Sequence, residues 1–525
     1  MLLLQANYLL AQNFSKTFVL DSQAVVTTAI NVIDNNIYVT GYTNDSTFNS
    51  LKTFVAKFDA NGNLIQYKYY RKSGIMQFVP QGNSELIWKK NIYLTGYLID
   101  TNSNSNYRPP FHVFLLKVDT NLNGTLLFDA KDTAVQIYSG YCLTMDATKN
   151  FYIAGVTQKE LKTIYEHHPT HPFIIKTDSN GNFVHKTIDS LFDRSNIYTN
   201  SILFHNNKLY LTVSGDSNLN ITDPIYHIHT INYIYELDTA CNLVTTHNYS
   251  DSNAYASQST IFFNNRFYGC GKHIINRFSY PNGSGNAYLK PSFYKFNSNY
   301  QRLYKQTYAD TTEYFGLNKI KQVPNQGNLL MVGERHVNSK DTSISGFYGF
   351  LVKTDTLGNT TWERNYIGSH PIPNFLTTDE FDDFDYLSDG SIIVLGNIFI
   401  QKVAPNFISQ QGWLLRLSPD GCLSPNDCGV ETGLFDPPTA SNTQALNILL
   451  YPNPSSDELS IKIKDNQIGF PIQFTVYDLV GKQISTYELT QSQQTINISK
   501  LLPGQYFAMF SKNGKRLSLQ KFEHF

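Results

Sequence analysis

The chain has 525 residues, too many for one ordinary domain and ample for a large core. Lysine and arginine number 41 against 42 aspartates and glutamates, so no basic field exists to hold nucleic acid or an anionic membrane. Aromatic residues make up 14% and charged residues 16%, a balance suited to pleated sheets, and no apolar run reaches the roughly 20 residues that span a bilayer. An all-β protein without a transmembrane segment is expected.

The opening "MLLLQANYLLAQNF" reads as the apolar core of a signal peptide ending near Ala11 or Gln12, so residues 1–11 are taken as a signal-peptide remnant. It lacks a basic segment ahead of it, which leaves the true start of the leader unplaced. Next comes "FSKTFVL", Phe14 to Leu20, an alternating strand with no hairpin partner nearby.

At 54–70 stands "FVAKFDANGNLIQYKYY": a strand, a turn and a strand. Asp at the first turn position can accept backbone hydrogen bonds, and Gly at the fourth tolerates a positive φ. Echoes follow, with turn-opening residues Asp59, Asp119, Asp178, Asp238, Asn297, Asp355 and Ser418 spaced 58 to 63 residues apart. A second motif precedes each echo: "IYVTG", "IYLTG", "FYIAG", "LYLTVSG", "FYGCG", "LLMVG" and "IIVLG", each introduced by an apolar stretch and a tight turn. Every period thus holds four strands, A to D, and seven such periods predict a seven-bladed β-propeller over residues 12–423. The seventh copy stops at Leu423, before its fourth strand. Phe14 to Leu20 is expected to fill that place and close the ring, removing an exposed edge.

In such a ring strand A lines the channel, and the A-to-B and C-to-D turns share one face. The B-to-C connections on the other face are long and individual in blades 2 to 5, and a ligand is expected there. Tyr107, Tyr165, Tyr226, Phe278, Tyr280 and Tyr288 on that side are candidate binding residues, able to stack on sugars or fill protein pockets. His167, His171, His227 and His229 fall in neighbouring connections and are weak metal candidates, outweighed by the ordinary reading of surface-loop histidines. The run "TTDEFDDFDYLSDG" before the second motif of blade 7 reads as a solvated acidic loop. If the protein is an enzyme, Asp382 and Asp383 in that run are its candidate acids. No cofactor is expected; calcium is the one ion the acidic run admits. "DANGN" and "DSNGN" share fragments of calcium loops but are read as turns. Cys422 and Cys428 are spaced for a local disulfide, and the pairing of Cys142, Cys241 and Cys270 is not assigned.

The turn Thr354–Trp362, "TDTLGNTTW", loosely resembles the Asp-box of sialidases, which is structural in that family and implies architecture rather than catalysis. After a linker at 424–445, residues 446–525 show short alternating strands that predict a small Ig-like β-sandwich. "YPNPSSDELSI", "VYDLVGKQI", "LLPGQY" and a terminal "QKF" resemble the type A C-terminal sorting domain of the Bacteroidota type IX secretion system. The resemblance places the family's boundary motif at Tyr451, Pro452, Asn453 and Pro454, its inner turn at Asp478 and Gly481, and its last motif at Leu502, Gly504 and Tyr506. The ending "KFEHF" departs from the basic tail of many members. The resemblance implies export through the type IX machinery and a secreted or outer-membrane surface-attached product. The combined expectation is a monomeric, non-catalytic binder of an extracellular glycan or protein. The alternative is a secreted carbohydrate-active enzyme, a glycosidase or lyase.

Overall fold

The structure is a computed structural model that describes residues 13–21, 23–44, 51–71, 75–79, 83–100, 111–130, 136–159, 170–188, 197–216, 230–249, 254–279, 285–297, 300–308, 315–337, 346–368, 375–402, 407–423, 430–431, 448–464, 469–477, 483–512 and 515–524. Every regular element among them is a strand. The chain forms two compact units, Met1–Leu434 and Phe435–Phe525.

In the first unit, antiparallel strands follow one another in sets of four, and each set is one period of the sequence. Blade 1 pairs Ala24–Ile33, Asn36–Asn44, Lys52–Phe58 and Leu64–Tyr70 in chain order. Blades 3, 4 and 5 repeat this order over residues 136–188, 197–248 and 254–307. In blade 2 the inner strand is broken into Ile75–Phe78 and Glu85–Trp88, both paired with Asn91–Asp100. Blade 6 spans residues 315–366, and its outer strand Thr360–Tyr366 also pairs with Val430–Glu431. Blade 7 holds Phe375–Tyr386, Ile392–Lys402 and Phe407–Leu417, and its fourth strand is Phe14–Phe18, antiparallel to Phe407–Leu417 with Phe14 opposite Arg416. The N-terminal strand therefore completes the last blade.

The apolar core repeats in step with the blades. Each of seven buried clusters takes its members from two consecutive blades, as with Tyr210 and Ile234 of blade 4 against Phe267 and Phe296 of blade 5. The clusters run blade 1 to 2, 2 to 3 and so on to 6 to 7. The seventh joins blade 7 back to blade 1 through Ile393, Leu395 and Leu414 against Val25, Ile37 and Phe54. Hydrophobic burial between flat sheets thus favours a closed circle.

The turns explain the spacing. Asp59 Oδ1 accepts from the amides of Asn61 and Asn63, both at 2.8 Å, and Oδ2 accepts from Asn63 Nδ2 at 2.9 Å. Asp119, Asp178, Asp238 and Asp355 build the same cage with Asn123, Asn182, Asn242 and Asn359. The fourth turn residue has positive φ in every blade: glycine in four, and Leu122, Cys241 and Tyr300 in the rest. Leu122 and Cys241 are fully buried, so packing offsets the strain. The A-to-B turns of blades 1, 2, 4 and 5 have two successive residues at positive φ, the geometry that matches strand twist in two-residue hairpins; asparagine dominates, but Lys89 and Lys90 serve in blade 2.

The second unit pairs Ile448–Tyr451, Glu458–Ile463 and Gln493–Asn497 in one sheet. The other contains Gln483–Leu489, Ile472–Tyr477, Gly504–Lys512 and Lys515–His524. One core, with Ile461 and Ile496 from the first sheet and Phe474, Phe510 and Phe522 from the second, joins them as a sandwich.

Candidate functional site: the polar hub and the cleft between blades 6 and 7

The acidic run of blade 7 is not a solvated loop: it is the inner strand Phe375–Tyr386, and Asp379, Asp382 and Asp383 are 1%, 2% and 3% exposed. The pairing register slips between Phe381 and Asp383, so Asp382 is the extra residue of a β-bulge. Inner strands of blades 1, 3, 4 and 6 slip at the corresponding place. A bulge re-aims its side chain, and the reading of this run by its charge alone as a solvated loop took no account of an inner strand. Asp382 Oδ2 accepts from Asn397 Nδ2 and, at 3.3 Å, from Thr27 Oγ1. Burial, then the neighbouring charge of Glu380, raises the Asp382 carboxyl well above its usual range despite the Thr27 bond.

These carboxylates sew blade 7 to blade 1. Asp383 Oδ2 accepts from the Ile30 amide at 3.3 Å and Asp385 Oδ2 from the Val32 amide at 2.7 Å, so side chains satisfy donors of the neighbouring inner strand. Asn397 Oδ1 accepts from the Thr27 amide at 2.8 Å and its Nδ2 donates back to the Thr27 carbonyl at 3.2 Å. The seam where the chain ends meet is therefore polar as well as apolar.

Two lysines from blade 6 enter the same region. Lys321 pairs with Asp383 at 3.0 Å and donates to the Phe384 carbonyl. Burial works to lower its pKa, but Asp383 and Asp385 overcome this and raise it. Lys319 reaches Asn83 Oδ1 at 2.9 Å, and burial lowers its pKa against the pull of Asp383. Asn83 in turn donates to the Asn200 carbonyl at 3.1 Å, and Asn31 donates to Glu85. Burial pushes the Glu85 carboxyl up to about 7, against the hydrogen bond from Thr40, with Asp383 adding to the rise. Blades 1, 2, 4, 6 and 7 thus meet through side chains at one hub. Sequence reasoning missed Lys319 and Glu85, because partners so distant along the chain carry no local pattern.

A cavity of about 350 Å³ opens at the short-turn end between blades 6 and 7. Val323–Gln326 and Leu387–Gly390 form its rim, with Pro419 of the last turn, and Lys353, Trp362 and Tyr386 are part of its wall.

Of the residues singled out in the sequence, Tyr107, Tyr165, Tyr226, Tyr280, His167, His227, His229, Cys428, Asp478 and Gly481 lie outside the described residues. Phe278 and Tyr288 lie within strands of blade 5, and their side chains are outside the described set. His171 begins the third strand of blade 3 and is half-buried. Cys422 is disulfide-bonded, while Cys142, Cys241 and Cys270 are buried and belong to no disulfide. The turns "DANGN" and "DSNGN" are closed by their own asparagines, as described above. No helix among the described residues is long and apolar enough to cross a membrane.

The second unit ties its first motif to its last strand. Tyr451–Pro452 and Asn453–Pro454 are cis peptides. Asn453 Oδ1 accepts from the Glu523 amide at 2.9 Å, and the Ser455 amide donates to the Glu523 carbonyl at 2.8 Å. Tyr506 stacks on Phe522 at 5.7 Å and donates to the Leu502 carbonyl at 2.7 Å; Leu502 itself is 77% exposed. Residues 451–455, 502–506 and 522–524 therefore form one locked end of the sandwich.

Residues 449–522 match the family described as a secretion system C-terminal sorting domain. No curated protein matches the chain. Among solved structures, Pyrococcus horikoshii acylaminoacyl peptidase is 11% identical with a TM-score of 0.38, the match covering 85% of this chain and 59% of that one. The β-propeller domain of the Trilobed protease from Pyrococcus furiosus is 10% identical with a TM-score of 0.36, covering 73% and 95%. Penicillium chrysogenum alpha-L-arabinanase, complexed with arabinobiose, is 9% identical with a TM-score of 0.37, covering 76% and 97%. The chain spans only about 59% of the length of the acylaminoacyl peptidase it matches. The strand pairings and the circle of interblade cores define a β-propeller, and after it in sequence the chain carries a type IX secretion system C-terminal sorting domain that marks it for secretion, as a released or a cell-surface protein.

Proposed function

We propose that the chain is an exported β-propeller, displayed or released at the cell surface, that binds a glycan or protein through the face of its long connections and performs no catalysis. The observation that supports this is the employment of the acids of the inner strand of blade 7. Asp382 is held by Asn397 and Thr27, Asp383 by Lys321 and the Ile30 amide, and Asp385 by the Val32 amide. Carboxylates spent on joining strands are poorly placed to flank a scissile glycosidic bond, which needs two acids facing each other across a substrate. The sorting domain addresses the type IX machinery, and the propeller acts as a monomer with a circular binding face.

The test is a glycan and surface-protein array probed with the purified full chain, beside digestion assays on polysaccharides. Saturable binding without product formation is the expected result. Release of sugar products, lost in an Asp382→Asn or Asp383→Asn variant that still folds, would establish the rival reading of a secreted glycosidase or lyase.

A further inference from the structure

In three of the seven blades a cation beside the last turn is tied to the next blade, and at the cleft between blades 6 and 7 the corresponding lysine is not. Two residues before the turn-opening position stand Lys57, Lys176 and Arg416, and each donates to the carbonyl of the second turn residue in the next blade. Lys57 reaches Thr120 at 3.3 Å, Lys176 reaches Thr239 at 2.7 Å and Arg416 reaches Ala60 at 2.8 Å. Lys353 holds this place in blade 6, where the next turn offers Pro419. It makes no such bond. Lys353 is 7% exposed, has no hydrogen-bond or ion-pair partner among the described residues, and lines the 350 Å³ cavity with Pro419.

Two more donors in the same wall are unspent. Trp362 Nε1 and Tyr386 Oη are buried and have no partner among the described residues. Buried polar groups are ordinarily satisfied, and a buried ammonium without a counter-charge is rarer still. The one carboxylate on the rim, Asp389, is already paired with Arg416. The wall therefore presents a cation, an indole N–H and a phenolic O–H without matching acceptors, beside apolar surface from Val323, Leu330 and Ile392. The volume lies within the range of small-molecule sites.

The geometry points to this cleft as a binding site for a carboxylate-bearing sugar of the hexuronate class, with the carboxylate on Lys353 and the ring against Trp362. An anionic group matches the cation, hydroxyl oxygens match the two neutral donors, and the C–H face of a pyranose suits aromatic and aliphatic flanks. The site lies on the short-turn side and stands whether or not the opposite face binds anything.

The test titrates the full chain with D-glucuronate and D-galacturonate, and with D-glucose and D-galactose as neutral controls, by ligand-observed NMR and tryptophan fluorescence. Uronates are expected to bind about tenfold or more tightly than the neutral sugars. Lys353→Met should weaken uronate binding about tenfold or more, while Lys353→Arg keeps it within about threefold. Tyr386→Phe, which preserves shape, should weaken it severalfold and serves if the Lys353 variant fails to fold. Absence of uronate binding by the unaltered chain, or equal affinity for the neutral sugars, would overturn the assignment. Uronate binding untouched by these substitutions would also overturn it, while leaving the long-connection reading standing.

Discussion

Lys319 of blade 6 donates to Asn83 of blade 2 at 2.9 Å, a bond between blades that are not neighbours in the ring. Glu85, two residues beyond Asn83, is drawn into the same group of charges with Asp383 and Lys319. The hub is thus one electrostatic unit, and its pH response is testable.

Because the folded Glu85 holds its proton up to about 7, while an unfolded glutamate loses it near 4.3, the native state binds more protons between those values. Stability contributed there falls as pH rises from about 4 to about 7 and stays low above. Glu85→Gln should therefore stabilise the propeller at pH 8 by about 2 kcal/mol and change little at pH 4. Urea denaturation at the two pH values measures the difference; an equal effect at both would show that Glu85 titrates normally.

The turn aspartates respond in the opposite sense. Side-chain and backbone hydrogen bonds from Asn182 hold Asp178 below the usual carboxylate range; at Asp59, burial pushes upward but the bonds from Asn63 and Asn61 prevail. Depressed values mean stability that is present above about pH 4 and lost as pH falls through the folded values. Asp59→Asn should cost about 0.5–1 kcal/mol at pH 7 and progressively less as pH falls below about 4, since Asn297 already serves in blade 5. Thermal melts across pH 3 to 7 would reveal the converging curves.

In blade 2, Lys89 and Lys90 both adopt positive φ, at 50° and 60°. Lys90→Gly removes one left-handed side chain and loses only the exposed pair with Asp34 at 2.6 Å. A gain of about 1 kcal/mol is expected, read from the urea midpoint at unchanged slope.

Phe14 lies against Gly62 of the first blade's turn, where an added Cβ would come within 2.4 Å of its ring. Phe14→Ala should lower stability by about 2 kcal/mol, less than for a fully buried phenylalanine because Phe14 is half-exposed. Hydrogen exchange should then rise first at Trp413, whose indole donates to Ser15, and at Leu414 and Leu415.

In the sorting domain, Phe522→Ala removes the ring on which Tyr506 stacks and opens a cavity in a small core. A loss of about 3 kcal/mol is expected, together with retention of the chain inside the cell in a secretion assay.

The period, the turn chemistry and the filling of blade 7 by Phe14–Phe18 were legible because each is written in local pattern: an Asp, a positive-φ residue, alternating strands. The break in the inner strand of blade 2 was not, since Ile75–Phe78 and Glu85–Trp88 each look like ordinary short strands. Asp382 and Asp383 were visible as acids and misjudged as solvated, because a dense run of charge reads as a loop and because their partners Asn397 and Thr27 stand 15 and 355 residues away from Asp382. Lys353 could not be singled out in the sequence: it stands where Lys57, Lys176 and Arg416 do, and only the structure shows that it lacks the bond those three make.

Asn13 Nδ2 donates to the Cys422 carbonyl at 3.0 Å, immediately ahead of the strand that completes blade 7. That position sets a limit on maturation: a peptidase trimming the front of the chain has to stop before Asn13, or the product leaves with a frayed blade. It also orders assembly in time, for a strand made first must wait through nearly the whole propeller before its partner exists.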